Sequence, residues 1–122
     1  MGKKVILIED ERNIIEAISF ILSRDGWEVK THSNGHDAMD AVRDRRPDLV
    51  ILDVMLPGKS GFDILQEIRD DAELGATPVL MLTARGQQKD REMAQRAGAS
   101  RYMTKPFSNA EVLEAVRDLV GP

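Results

Sequence analysis

The sequence has no cysteine among its 122 residues, which removes disulfides, thiolate metal sites and cysteine nucleophiles together. It also lacks a long apolar run. The longest, Leu49–Leu56, is interrupted by Asp53 and is far too short to cross a bilayer. The N-terminal MGKK leads straight into an apolar strand-like stretch, without the hydrophobic segment of a secretory signal. The expectation is a cytoplasmic protein without membrane contact. Nor is there a large excess of one charge. Seventeen basic and 21 acidic residues are interspersed to a net charge of −4, which argues against a general nucleic-acid-binding surface and leaves only a small local patch open. With no repeat, low-complexity tract or linker, residues 1–122 read as one domain, long enough to close a core unaided.

What the chain does have is four short apolar runs that each stop on a reactive polar residue: VILIED at Glu9 and Asp10, LVILD at Asp53, VLMLT at Thr83 and RYMTK at Lys105. They predict strands over about Lys4–Ile8, Leu49–Asp53, Val79–Thr83 and Arg101–Thr104. The first three of these are continuously apolar, as in strands covered on both faces. The alternating WEVKTH predicts a further strand, Trp27–His32, at a sheet edge. Between the strands lie amphipathic stripes: Ile14, Ile15, Ile18, Ile21 and Leu22; Ala38, Ala41 and Val42; Ile64, Leu65 and Ile68; Val112, Leu113, Val116, Leu119 and Val120. Ser108 and Glu111 have the spacing of a capping box, and Gly26 and Gly98 stand where helices should stop. The segment Gln87–Ala97 has only Met93, Ala94 and Ala97 as an apolar face. It is expected to be the least firmly seated helix.

Strict alternation of strand and helix implies an α/β fold, a doubly wound parallel sheet with right-handed crossovers. The expected strand order is 2-1-3-4-5, flavodoxin-like, with ligands at the carboxyl ends around the switch between strands 1 and 3. Asp10 and Asp53 would flank that crevice. Taken singly, Asp10 reads equally well as a turn former or helix cap, Thr83 as a cap, Lys105 as a solvated lysine and Tyr102 as core. Asp53 resists such a reading, because it interrupts an apolar run where no helix is ready to be capped and a buried uncompensated carboxylate is costly. Separate readings also leave unexplained why all of these fall on one edge.

Two carboxylates about 5 Å apart repel by roughly 3 kcal/mol at an effective dielectric near 20. Glu9, Asp10 and Asp53 therefore call for a cation. A small set of oxygen ligands suits Mg²⁺, with Mn²⁺ admissible in its place. An ionised aspartate beside such a metal is a nucleophile, and Thr83 and Lys105 can receive the oxygens of a transferred phosphoryl group.

With LIEDE near the N-terminus, LDVMLPGKSG in the middle, LTA after the fourth strand and a terminal KPF, the sequence resembles the receiver domains of bacterial two-component response regulators, the CheY-like superfamily, over essentially its whole length. The resemblance implies a signalling switch that takes part in its own phosphorylation and dephosphorylation, not an enzyme with a separate substrate. Asp53 would accept a phosphoryl group from a phosphohistidine of a sensor histidine kinase or histidine phosphotransfer protein. Asp10 would bind Mg²⁺ directly, Glu9 mainly through a metal-bound water, and Met55 through its backbone carbonyl. Lys105 would contact the phosphoryl group, and the bond to Pro106 is expected to be cis. Thr83 would move toward the phosphoryl group and Tyr102 would follow inward, remodelling the helix 4, strand 5 and helix 5 surface for a downstream protein or a fused effector domain.

Where many relatives carry aspartate, this chain has Glu9. Met55 and Arg85 occupy positions thought to tune phosphoryl lifetime in the family. The acids that many DNA-binding relatives use for a symmetric dimer are missing from Ala99-Ser100-Arg101, and Ala115 stands where those relatives commonly place arginine, so a monomer is expected. A haloacid-dehalogenase-type phosphatase would need a second acid where Met55 stands. A flavodoxin-like cofactor binder would need glycine in the loop after strand 1, which instead reads EDERN and would repel a flavin phosphate. A degenerate receiver used only for docking would not keep the full set of site residues. The chain ends at Gly121-Pro122 just after the last helix, as either a stand-alone receiver or a piece of a longer protein.

Overall fold

A computed structural model describes residues 3–84 and 88–121, without the side chain of Asp90. Five strands, β1 (Lys4–Ile8), β2 (Glu28–His32), β3 (Leu49–Asp53), β4 (Val79–Thr83) and β5 (Arg101–Thr104), alternate with five helices, α1 (Arg12–Arg24), α2 (Ala38–Arg45), α3 (Gly61–Asp70), α4 (Gln88–Ala97) and α5 (Asn109–Val120). The strands form one parallel sheet in the order β2-β1-β3-β4-β5, the arrangement expected from the alternation.

Period-two alternation with both faces covered explains why Val5–Ile8 of β1, Leu49–Leu52 of β3 and Val79–Leu82 of β4 are apolar at every position. Ile6, Ile8, Val50, Leu52, Val79 and Met81 pack with α2, α3 and Ala94 of α4 on one face. Val5, Leu7, Leu49, Ile51, Leu80 and Leu82 pack with α1 and α5 on the other. β2 covers only one edge and keeps three of its five residues exposed. The core is therefore two apolar layers separated by the sheet.

Three expectations need correction. Trp27 lies just ahead of β2 and not in it, because its backbone N–H donates to Leu22 O at 3.0 Å to close the end of α1. Met93 does not seat α4; it is 48% exposed, and Ala94 is the one fully buried residue among the described side chains of that helix. Ala115 is 1% exposed in the α1–α5 layer, so it is a core position and not part of a contact surface. Ser108 and Glu111 do form a capping box, with Ser108 Oγ accepting from the Glu111 N–H at 3.1 Å and Glu111 Oε1 accepting from the Ser108 N–H at 3.2 Å.

One long-range staple has no local sequence signature. The Arg69 guanidinium donates to Gly98 O (2.8 Å), Gly75 O (3.0 Å), Thr77 O (2.6 Å) and Ser100 Oγ (3.2 Å). It ties the end of α3 to the loop before β4 and to the turn leaving α4. The carboxyl end of α4 is thus pinned, although its packing face is thin.

Candidate functional site

The parallel ladder sets the carboxyl ends of β1, β3 and β4 side by side, with Ile8 opposite Leu52 and Asp53 opposite Leu82. Glu9, Asp10 and Asp53 meet there, each offering an oxygen within 4.8 Å of the others. Glu9 and Asp53 are buried and Asp10 is exposed. Glu9 is held by the start of α1: its Oε2 accepts from the N–H groups of Asp10 and Glu11, both at 3.0 Å. Asp53 Oδ1 accepts from the Met55 N–H at 3.2 Å, which fixes the first turn of the following loop. That loop returns close beneath the strand end, where Gly61 donates its N–H to Val54 O at 3.0 Å.

Lys105, carried in from the end of β5, supplies the local positive charge. Its Nζ lies 3.1 Å from Asp53 Oδ2, 3.1 Å from Glu9 Oε1 and 3.0 Å from Glu11 Oε1. Burial by itself would lower the Lys105 pKa, but the hydrogen bond to Glu11 and the charges of Asp53 and Glu9 outweigh it and push it up. The ammonium is therefore fully charged. The Lys105–Pro106 peptide is cis.

Thr83 is buried but does not join this group; the acceptor in reach of its hydroxyl is Met103 O, at a marginal 3.5 Å. Tyr102 is half-buried, with the Arg91 guanidinium 5.4 Å from its ring centroid and bonded to Thr104 Oγ1 at 2.9 Å. Met55 is 70% exposed and lines, with Asp10, Phe62 and Met93, an open groove beside the acids. Arg85 lies outside the described residues. Glu11 is the residue that sequence reasoning missed. Its signal is the third acid of LIEDE, which by sequence alone is one more charge in the loop after β1.

The donor set fits a hard cation. It consists of oxygens alone, and Glu9 Oε1 is buried without a hydrogen-bond partner, its approach to Lys105 being poorly aligned. Glu9, Asp10 and Asp53 together form an acidic cluster compatible with metal binding.

The Glu9 carboxyl is pushed up to about 7, first by burial and then by the neighbouring Asp53 carboxylate, against the pull of the Glu11 N–H and Lys105. The folded chain thus keeps a proton that the unfolded chain releases near the ordinary carboxyl value of 4.5. Between those values the native state binds more protons, so stability falls as pH rises through this window and levels off above it. The metal-free protein should lose on the order of 2 kcal/mol between about pH 5 and pH 8. Urea denaturation across that range reads it, and a flat profile would mean that Glu9 is ionised throughout.

Trp27, buried ahead of the amino end of β2 in the α1–α5 layer, lies at the far end of the sheet from the acids. Mg²⁺ titration is therefore expected to leave tryptophan emission nearly unchanged while thermal melting reports binding. Saturable quenching that vanishes in Asp10→Ala would contradict this separation.

The chain matches the family model of the response regulator receiver domain over residues 5–117. It is similar to the chemotaxis response regulator CheY4 of Vibrio cholerae, at 28% identity over 98% of this chain and 99% of that one, with a TM-score of 0.91. The receiver domain of the sensor histidine kinase PA1611 from Pseudomonas aeruginosa PAO1, solved with a magnesium ion coordinated in the active site cleft, is 30% identical over 100% of both chains, with a TM-score of 0.90. The BeF3-activated N-terminal receiver domain of RstA from Klebsiella pneumoniae is 27% identical over 98% of this chain and 99% of that one, with a TM-score of 0.88. A doubly wound sheet whose edge gathers three acids around a lysine, together with a family match across nearly all of its length, establishes that this chain belongs to the response regulator receiver domain family of two-component systems.

Proposed function

We propose that residues 1–122 form a single phosphoacceptor domain in which Asp53 takes a phosphoryl group from the phosphohistidine of a sensor kinase or phosphotransfer protein. The observation that carries this reading is the pairing of the Asp53 carboxylate with Lys105 Nζ at 3.1 Å, beside Glu9 and Asp10. An Asp53 oxygen attacks phosphorus, the phosphorus–nitrogen bond breaks, and the imidazole leaves with the bonding electrons. Lys105 neutralises charge on the phosphoryl oxygens, and Thr83 turns its hydroxyl toward them from its present place beside Met103 O. Glu9, Asp10 and Asp53, with the Met55 carbonyl, would hold Mg²⁺ or Mn²⁺, which would supply further charge neutralisation for the transfer.

The readout follows from α4. With Ala94 as its buried anchor and Tyr102 half-exposed beneath Arg91, a movement of Thr83 would shift α4 and draw Tyr102 inward, changing the α4-β5-α5 surface for a downstream protein or effector domain. The domain acts in the cytoplasm as a monomer, without membrane or direct nucleic-acid contact, and none of its described helices is long and apolar enough to cross a membrane. Incubation with a small acyl phosphate and Mg²⁺ should add one phosphoryl mass that hydroxylamine removes. Failure to take up phosphoryl under those conditions would overturn the reading.

A further inference from the structure

Three carboxylates, not two, converge on the Lys105 ammonium, and one of them stands outside the metal-competent cluster. Glu11 Oε1 accepts from Lys105 Nζ at 3.0 Å, yet the acids that can share a cation are Glu9, Asp10 and Asp53. The Glu11 side chain is 59% exposed, against 17% for Lys105. Its backbone is the N-cap of α1, but its side chain makes no capping hydrogen bond. The helix therefore gives no reason for this carboxylate to turn back over the site. Its reach starts from a fixed point, since the Glu11 N–H donates to Glu9 Oε2 at 3.0 Å.

A lysine ammonium has three donors and no acceptor. In the resting protein two of them are engaged, by Glu11 Oε1 at 3.0 Å and Asp53 Oδ2 at 3.1 Å, while Glu9 Oε1 lies 3.1 Å away without hydrogen-bond alignment. A phosphoryl group on Asp53 brings three strongly accepting oxygens to the same place, where one donor is left for them, so a second contact to the phosphoryl group requires an existing one to yield. The contact to Glu11 is the one open to water, and exposed pairs are the weakest. We infer that Glu11 is a positioning residue: it latches Lys105 across the mouth of the unphosphorylated site and has to surrender it as the phosphoryl group arrives, so that it competes with phosphorylation. This rests on Asp53 being the acceptor.

Two substitutions separate a latch from simple repulsion of an anionic donor. Glu11→Gln keeps the length and removes the charge, whereas Glu11→Asp keeps a charge at the rim and withdraws it by one methylene from the 3.0 Å contact with Lys105. A latch requires both to speed phosphorylation by sub-saturating acetyl phosphate, by about two- to fivefold given the usual strength of an exposed pair. Acceleration in Glu11→Gln alone would mean that only the field matters, and no acceleration in either would mean that Glu11 does not compete; each result overturns the inference. A second readout is independent of phosphorylation. The NMR signal of the Lys105 ammonium in metal-free protein should move in both variants, and an unmoved signal would show that the resting contact is not made in solution. A wild-type chain that took up no phosphoryl would bring down the assignment of Asp53 and the surrender step with it, while the Lys105 signal would still decide the resting contact.

Discussion

Replacing Asp53 with asparagine is expected to abolish phosphoryl uptake and, in the same molecule, to flatten the pH dependence of stability. The first effect follows because an amide offers no anionic oxygen to attack phosphorus. The second follows from the crowding of acids at the strand ends. Burial is the main cause of the raised Glu9 pKa, but the neighbouring Asp53 carboxylate adds to it. With asparagine in place, the charge is gone and Lys105 keeps Glu9 and Glu11 as partners. Glu9 should then ionise at lower pH, and less stability should be lost between about pH 5 and pH 8. Intact-mass measurement after acyl phosphate treatment reads the first effect, and urea denaturation the second. A variant that still acquired a hydroxylamine-labile phosphoryl group would place the acceptor elsewhere.

The second large effect is expected at Gly61, the first residue of α3. A Cβ built there would lie 2.1 Å from the Asp53 carbonyl oxygen and 2.9 Å from both Asp53 C and Val54 Cα. These are backbone atoms of a buried strand end and cannot swing aside, so either α3 or the end of β3 has to move. Gly61→Ala should cost about 3 kcal/mol, lowering the melting temperature by on the order of 10 °C. It should also slow phosphorylation, because the residue displaced is Asp53 itself. Gly26→Ala is the fitting comparison. There the space is open, and the cost comes only from a φ of +92°, about 1 kcal/mol, with no effect on the site. Equal losses in the two variants would show that the Gly61 contact relaxes easily.

The features that were legible in the sequence are those written in short-range patterns. Continuous apolar runs mark β1, β3 and β4, the alternating WEVKTH marks β2, stripes at helical spacing mark four helices, and the position of Asp10, Asp53 and Lys105 at strand ends puts them at one edge once the strands are parallel. What escaped depends on partners far along the chain. Glu11 meets Lys105 across 94 positions and Arg69 meets Gly98 across 29, and no local period marks such pairs. Met93 and Ala115 were misplaced for a related reason. An apolar residue on a mostly polar helix can face either way, and an alanine is small enough to fit against the sheet where a longer side chain would have to leave.

Because the sheet divides the apolar interior into two layers, they need not yield together. On the α1–α5 side, Ile18, Ile21, Leu22, Val112 and Val116 interlock two helices with each other and with the strands. On the other side Ala94 supplies the one fully buried methyl group among the described side chains of α4, with Ala97 partly covered, and the helix is fastened at its far end by Arg69. Local opening is cheapest where little apolar surface has to be exposed. The amides of α4 should therefore exchange with solvent through excursions that leave α1 and α5 closed, so that one flank can fluctuate on a fast timescale while its opposite keeps a constant shape.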